Sequence, residues 1–412
     1  MMGFKLRGLN YGLTDQAITS GSNFFCALLL VKILGLTEFG IFSTLWIILL
    51  FISTINVNTV ISPMMAIFPG HQEKQKYNGS LLIFQLSFSL TAFLLSFIVA
   101  IIYLKSVGAF SLIKTALLFS ICVFLHHFQE YFRKHFFATK RFSSAIIIDS
   151  LTYLIRLFLI VSLVGLKINM DLSYVFLIYS STSFLGVFYG ISKYKFKTEK
   201  EFIKKDFHAH LIISKWLAPS GILKWSSINV FTFSSSIILG PTSIGIIKLS
   251  QNIASSYNLF LLGLENIIPL EAAVAYSKGG LNSLVTYLKK TIIYGLVFTI
   301  LFAVLLVGFS NYLFETIYGK NFIEYSYILN WFASFLFFMY TCSIINIFLI
   351  TISKTKITFL SYLFTSIFSV IIFYPLIYYF EIRGVLIGML ASYGFLLTVF
   401  SNQLKRLPRD IK

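Results

Sequence analysis

Two nine-residue phrases are nearly the same: ILGLTEFGI at 33–41 and ILGPTSIGI at 238–246, which lie 205 residues apart in a chain of 412. Each joins two apolar stretches, and its glycines permit a tight turn. A second pair, ISPMMA at 61–66 and IIPLEA at 267–272, agrees at an offset of 206. Two matched landmarks half a chain apart predict two copies of one structural unit. The glycines expected to turn the chain are Gly35, Gly40, Gly240 and Gly245.

Apolar side chains dominate the composition. The chain is 57% hydrophobic and 12% charged, whereas about a quarter of the residues in a soluble domain are charged. Apolar stretches of roughly 18 or more residues recur along the whole length and are typical of membrane-spanning helices. The sequence therefore predicts an all-α integral membrane protein.

Twelve transmembrane helices are predicted. They are 12–35, 40–66, 80–104, 109–129, 143–166, 173–191, 219–239, 246–269, 290–310, 326–350, 358–380 and 384–403. The predicted organisation is an N-terminal six-helix bundle at 1–191, a basic cytoplasmic linker at 192–217 and a C-terminal six-helix bundle at 218–412. Because six is even, the two bundles have the same orientation in the membrane. Transporters built from such parallel repeats place their pathway between the repeats, which predicts a central cavity.

The placement of lysine and arginine predicts the orientation. With a cytoplasmic N-terminus, most of the 33 lysines and arginines fall on the cytoplasmic side. Both termini are therefore predicted to be cytoplasmic, with no cleaved signal peptide. The same asymmetry explains the net charge of +18 without a nucleic-acid partner, and membrane lipids are expected partners.

Polar side chains form stripes at helical spacing within four predicted spans. Span 1 carries Asp15, Thr19, Ser22 and Cys26, and span 8 carries Lys248, Gln251, Ser255, Asn258 and Glu265. Spans 2 and 7 carry shorter stripes of serine, threonine and asparagine. Spans 1 and 7 correspond by the repeat, as do spans 2 and 8. One interpretation is a shared hydrated cavity lined by these four spans; the other is hydrogen bonding inside packed bundles.

Ionisable residues inside spans are costly and mark functional sites. Asp149 and Arg156 lie seven residues apart in span 5, on one face of an α-helix. They are either an internally compensated pair that permits burial or a phosphate-binding arginine with Asp149 as its resting partner. Arginine offers phosphate a bidentate fork and lysine a point charge. The candidates for binding an anionic substrate are Arg156, Lys248 and Lys32, with Gln251 and Asn258 beside Lys248.

Four carboxylates are candidates for coupling transport to a proton or a sodium ion: Asp15, Glu130, Asp149 and Glu265. An alternative for Glu130 is a local pair with Arg133 at i, i+3. No set of ligands has the spacing of a zinc site, so neither a metal nor a cofactor is expected.

Smaller features are predicted to be structural. GVFYG at 186–190 and GVLIG at 384–388 have the GxxxG spacing of close helix packing. Cys26, Cys122 and Cys342 each lie in an apolar run and are expected to be small buried hydrophobes.

Several segments resemble Wzx-type polysaccharide flippases, which belong to the MATE-related MOP exporter superfamily. They are DQAITSGSNFFCALLLVKILGLTEFGIFSTLW at 15–46, FQEYFRKHFFATKRFSSAIIIDSL at 128–151, WLAPSGILKWSSINVF and ILGPTSIGIIKLSQN within 216–252, and ENIIPLEAAVAYSKGG at 265–280. The resemblance covers spans 1–9 in sequence and spans 10–12 in topology alone. Lys32 stands where the family is expected to have an arginine.

The resemblance implies twelve helices in two bundles around a central cavity. It also implies an activity: moving a polyprenyl-pyrophosphate-linked oligosaccharide, such as an O-antigen repeat unit of lipopolysaccharide, across the bacterial inner membrane by alternating access. The chain would then be a multi-pass transporter and not an enzyme.

Two other functions are compatible with the same architecture. A drug or small-cation exporter of the superfamily would favour an acidic cavity, and the cations Arg156, Lys32 and Lys248 argue against that. A membrane polysaccharide polymerase or ligase would need a large, charged external loop. The longest predicted external loop, NYLFETIYGKNFIEY at 311–325, carries two carboxylates and one lysine, which do not form a catalytic constellation.

Overall fold

Helices make up most of the described part of the chain. The computed structural model describes residues 2–109, 111–168 and 170–405, with the side chains of 2–13, 259 and 262–267 left out. Within these ranges there is no strand, so the predicted all-α class is confirmed. The helices are α1 (Met2–Asn56), α2 (Ser62–Ile67), α3 (Lys74–Ser106), α4 (Leu112–Ala138), α5 (Phe142–Asp149), α6 (Ile155–Gly165), α7 (Leu172–Lys193), α8 (Lys200–Ile238), α9 (Pro241–Ala254), α10 (Tyr257–Gly308), α11 (Ser310–Tyr318), α12 (Tyr327–Thr351) and α13 (Thr355–Lys405).

The repeated phrase has one backbone conformation in both copies. Gly35 has φ 71° and ψ 172°, and Gly240 has φ 91° and ψ 168°. This region is open essentially to glycine alone. Gly40 and Gly245 are buried within helices, so the prediction that they turn the chain is wrong. One glycine in each copy breaks the helix.

Eight helical stretches are long and apolar enough to cross a membrane. Among the described residues they are Thr14–Gly70, Lys74–Ser106, Leu112–Ala138, Phe142–Gly165, Leu172–Lys193, Ile268–Gly308, Tyr327–Thr351 and Thr355–Lys405. The first and last span 57 and 51 residues, and a crossing needs about 20. They are broken at Gly35 and at Glu381, so each has room for two predicted spans. Predicted spans 7 and 8 lie outside these eight, and the count of twelve stays a prediction.

The helix surfaces expose large apolar side chains. Ile102 is 64% exposed, Phe158 69% and Ile371 68%. Water solvates such surfaces poorly, whereas lipid chains cover them without cost. The chain is therefore a multi-pass membrane protein.

Contacts divide the chain into two units, 1–222 and 223–412, and the boundary lies inside α8. In the first unit α4 packs against α3 and α7, and in the second α12 packs against α10 and α13. Both GxxxG predictions are confirmed as packing sites. A side chain at Gly190 would collide with the ring of Phe132, and one at Gly388 with the ring of Phe231.

The basic loops of the first unit lie together at one end. The Lys197 amide donates to the Gln75 carbonyl at 2.8 Å, and the Arg141 guanidinium donates to the Lys193 carbonyl at 3.0 Å. Loops 70–74, 139–141 and 194–199 thus share an end, as the predicted topology requires. That this end faces the cytoplasm stays a prediction.

Span 5 is not one regular α-helix. A π-helical turn, Ser150–Leu154, separates α5 from α6. Such a turn inserts about one residue into the helix and rotates the next helical segment by about 100°. Asp149 and Arg156 flank the turn, so they do not share the face that a regular α-helix would give them.

Candidate functional site

Three carboxylates converge on one arginine in the first unit. Arg133 of α4 has an 11% exposed side chain. Its Nη2 lies 2.5 Å from Asp15 Oδ2 of α1, and its Nε lies 2.9 Å from Asp149 Oδ2 at the end of α5. Its Nη1 donates to both oxygens of Glu130, one turn earlier on α4, at 3.1 Å. The guanidinium therefore links α4 to α1 and to α5 through ion pairs.

The carboxylates of this cluster outnumber its cations. Lys134 Nζ is 3.8 Å from Glu130 Oε1 and is the second cation. Asp149 is fully buried and also accepts from Gln129 Nε2 at 3.2 Å. With every group ionised, three negative charges face two positive ones. A buried uncompensated charge is costly, and the cluster carries one negative charge that no described cation balances.

Asp15 and Asp149 share Arg133 as their common partner. Asp15 pairs with its Nη2 and Asp149 with its Nε. The two carboxylates are therefore held beside one guanidinium.

Arg156 lies apart from this cluster and is 1% exposed. Its Nε donates to Thr182 Oγ1 and its Nη2 to Ser183 Oγ, both at 3.3 Å. The guanidinium lies 3.9 Å from the ring centre of Tyr179 and 5.2 Å from that of Tyr153. Its Nη1 has no hydrogen-bond partner within the described part of the chain.

The predicted pair of Arg156 with Asp149 is not formed. Asp149 pairs with Arg133, and no described carboxylate lies within 4.0 Å of Arg156. The π-helical turn, Ser150–Leu154, explains the difference because it rotates Arg156 away from Asp149. Arg156 is therefore a buried cation held by hydroxyl groups and aromatic rings.

The remaining substrate-binding candidates lie elsewhere. Lys32 is exposed on α1; Lys248 and Gln251 are half-buried on α9, and Asn258 is exposed on α10. A turn at Ser255 and Ser256 separates α9 from α10, so the predicted stripe is not carried by a single helix. Within the described residues, Lys248 has no carboxylate within 4.0 Å and Gln251 Oε1 has no hydrogen-bond partner. Glu265 falls outside the described side chains.

The prediction of three buried cysteines is confirmed: Cys26, Cys122 and Cys342 are buried free thiols. Among the described side chains no three histidines, cysteines or carboxylates form a group that could hold a metal. His127 Nε2 instead lies 3.2 Å from Ser53 Oγ.

The sequence does not indicate that Arg133 is the common partner of three carboxylates. Its neighbour at i−3, Glu130, suggested a local pair, which exists. The other two partners are more than 15 residues away on different helices, and helical spacing carries no information about them. The one usable signal was the need of Asp15 and Asp149 for a buried cation.

No protein-family model matches the chain, and no curated protein matches it. Solved structures do. The lipid II flippase MurJ in an inward closed conformation is similar with a TM-score of 0.74 and 16% identity, over 100% of this chain and 89% of that one. The chain therefore shares its fold with this solved structure.

Two further structures agree with this fold. An inward-facing multidrug resistance MATE family transporter of the MOP superfamily has a TM-score of 0.70 and 15% identity, over 96% of this chain and 93% of that one. A MOP superfamily transporter from Pyrococcus furiosus, described with a binding pocket of reverse polarity, has a TM-score of 0.58 and 13% identity, over 98% and 92%. Likeness at such identities establishes the fold and leaves the substrate open.

Proposed function

We propose that the chain is a flippase that moves polyprenyl-pyrophosphate-linked oligosaccharide repeat units across the bacterial inner membrane by alternating access. The observation that carries the proposal is Arg156, a buried cation with an unpartnered Nη1 and no described carboxylate within 4.0 Å. An unpaired charge within a membrane span is costly. A pyrophosphate group would supply both the missing negative charge and the missing hydrogen-bond acceptor.

Lys248, on α9 of the second unit, is a second cation with no described carboxylate within 4.0 Å. It is half-buried beside Gln251, whose Oε1 is unpartnered among the described residues. Lys32, exposed on α1, would be a third cation on the route of an anionic headgroup. Asn258 would offer hydrogen bonds to the sugars. These residues favour an anionic, hydroxyl-rich substrate over a cationic one.

The Arg133 cluster is the proposed coupling site, and Asp15, Asp149 and Glu130 are its ion-binding groups. Its excess of carboxylates over cations favours a proton as the coupling ion, since no three of the described carboxylates form a group that could hold a metal ion. Binding of the ion would change the charge inside the first unit and bias one of two transport conformations. Glu265 stays a further candidate.

Loss of the gene tests the proposal. In a strain without a second flippase, deletion should remove surface polysaccharide and cause polyprenyl-linked repeat units to accumulate on the cytoplasmic face of the inner membrane. Complementation with the wild-type gene should reverse both effects. Unchanged polysaccharide with no accumulated intermediate would exclude the flippase function.

A drug or small-cation exporter is the second candidate function. It is favoured by the negative excess of the Arg133 cluster and by the MATE family structures among those of similar fold. Efflux of ethidium from cells that express the chain tests it directly. Ethidium efflux that depends on Asp149, together with normal polysaccharide in the deletion strain, would establish this function in place of the first.

A further inference from the structure

The first part of α8, residues 200–217, precedes the predicted span 219–239, and one face of it is fixed to the first unit. Asp206, which is 3% exposed, lies 3.3 Å from His71 Nε2, and His210 Nε2 lies 2.7 Å from Tyr77 Oη. The ring of Phe84 packs against that of His210 at 5.3 Å. These contacts fix the rotation of the helix, and they determine which of its side chains face outward.

The outward face forms a shallow, basic groove. It is lined by Lys200, Glu201, Lys204, Lys205, Phe207 and His208. All six line an outer surface, and no described carboxylate lies within 4.0 Å of any of the three lysines. The segment before the helix adds three more exposed lysines, Lys193, Lys195 and Lys197. Three lysines against one glutamate therefore leave the groove with a net positive charge.

Exposed apolar side chains lie next to these lysines. Phe207 is 51% exposed, Leu211 45%, Ile212 52% and Trp216 67%. Three residues after Trp216 the same helix enters predicted span 7. Tryptophan and lysine beside a span are typical of the membrane interface, where the apolar part of the side chain meets lipid and the charge meets headgroups.

We infer that residues 200–217 bind anionic glycerophospholipids of the adjoining leaflet, with the lipid phosphates in the groove of Lys200, Lys204 and Lys205. Phe207, Leu211 and Trp216 would contact the upper part of the acyl chains. Charge complementarity argues for this occupant, since juxtamembrane lysines attract anionic headgroups. The inference is independent of the transported substrate because none of the proposed substrate-binding residues lies in this segment.

The test measures lipid binding to the full chain purified in detergent. Native mass spectrometry would count bound phosphatidylglycerol and bound phosphatidylcholine. The test variant is Lys200→Gln/Lys204→Gln/Lys205→Gln. The control is Lys105→Gln/Lys167→Gln/Lys320→Gln, which removes the same charge from three exposed lysines far along the chain. A third variant, Lys200→Arg/Lys204→Arg/Lys205→Arg, keeps the charge.

Each lysine near an anionic surface strengthens binding about fivefold. The glutamine test variant should therefore lose at least tenfold in phosphatidylglycerol affinity, while the control and the arginine variant keep wild-type affinity. Phosphatidylcholine should bind weakly to all of them. Unchanged phosphatidylglycerol binding in the test variant, or an equal loss in the control, would overturn the inference.

Two further arms separate the source of the phosphate. Inorganic phosphate at the same concentration as phosphatidylglycerol should not displace the lipid, because it lacks the acyl chains that the apolar residues contact. Displacement at equal concentration would show an anion site and would overturn the lipid surface. If the glutamine test variant is poorly folded, Trp216→Ala replaces it; a wild-type affinity for phosphatidylglycerol in that variant would contradict the acyl-chain contact.

Discussion

The guanidinium of Arg133 donates from Nε to Asp149 Oδ2 at 2.9 Å, across the contact between α4 and α5. The fully buried Asp149 has no other cation within 4.0 Å among the described residues. A single arginine therefore balances the charge of Asp149 and also pairs with Asp15 and Glu130.

Arg133→Ala should destabilise the protein strongly. Removing one partner of a buried ion pair costs about 3–5 kcal/mol. Here Asp15 and Asp149 both lose their cation, while Glu130 keeps Lys134. The measurement is the thermal unfolding midpoint of the protein purified in detergent. The matched control is Arg383→Ala. Arg383 lies in the second unit, and no described carboxylate lies within 4.0 Å of it. This variant should change the free energy of unfolding by less than about 0.5 kcal/mol. Equal unfolding midpoints for the two variants would show that the buried ion pairs of Arg133 do not stabilise the protein.

Asp149→Asn should separate stability from coupling. The amide oxygen can still accept from Arg133, and the substitution removes the excess negative charge, so the unfolding midpoint should not fall. Transport driven by an ion gradient in proteoliposomes should be lost, because the proposed coupling site loses one of its carboxylates. Glu324→Gln changes a carboxylate of the loop before α12 and should leave transport unchanged. Gradient-driven transport by Asp149→Asn at the wild-type rate would exclude this residue from coupling.

Substitutions of Arg156 that remove its charge should reduce export more than those that change only its geometry. Arg156→Ala should abolish export of lipid-linked repeat units, and Arg156→Lys should retain part of it, because lysine keeps the charge and loses the planar fork. Export is measured at equal expression, with the apparent affinity for the substrate as the second readout. Thr182→Val removes one hydrogen bond to the guanidinium and keeps the charge, so it should reduce export least. Normal export in both arginine variants would exclude phosphate binding by Arg156.

The attachment of α8 to the first unit should weaken in acid. Burial lowers the pKa of His210 below its ordinary value of 6.5, against the opposing effects of the Thr59 carbonyl and Asp206. The folded state therefore binds fewer protons than the unfolded state as pH falls through 6.5, and stability is lost in that direction. The groups that face His210 are Tyr77, Asp206, Phe84 and the Thr59 carbonyl.

The measurement compares unfolding midpoints at about pH 7.5 and pH 5, on either side of the ordinary histidine pKa. His210→Gln should lose less stability on acidification than the wild type, because it cannot take up this proton. His208→Gln alters an exposed histidine two residues away and should behave like the wild type. An identical acid response in His210→Gln and the wild type would show that His210 does not contribute.

The two turn glycines should be sensitive to a methyl group despite open space around them. No heavy atom outside the local chain lies within 4 Å of a Cβ at Gly35 or Gly240. Their φ values of 71° and 91° nevertheless cost other residues about 1–3 kcal/mol. Gly35→Ala and Gly240→Ala should each lower the unfolding midpoint. Gly165→Ala, which also has open space and lacks a positive φ, should not.

Features that depend on local spacing could be predicted from the sequence. The helical class, the matched turns at Gly35 and Gly240 and the packing glycines Gly190 and Gly388 all derive from composition or from short repeats. Three of the carboxylates chosen from the sequence, Asp15, Glu130 and Asp149, do come together in the structure.

Features that depend on helix phase and on tertiary contact could not be predicted. The seven-residue spacing of Asp149 and Arg156 predicted one face only on the assumption of a regular α-helix, and the π-helical turn, Ser150–Leu154, breaks that assumption. No residue type between them marks such a turn. The partnership of Arg133 with Asp15 joins residues 118 apart, which no periodic pattern can indicate.

The matching torsions of Gly35 and Gly240 align the two copies of the repeated phrase, and the alignment shows where their sequences differ. At the offset of 205 that aligns these glycines, Asp15 corresponds to Ser220, and Lys248 corresponds to Ser43. Each copy therefore has a charged residue where the other has a serine. If the halves descend from one duplicated ancestor, both inherited the backbone conformation of this glycine. The acidic residue Asp15 was then kept or acquired in one copy, and the basic residue Lys248 in the other.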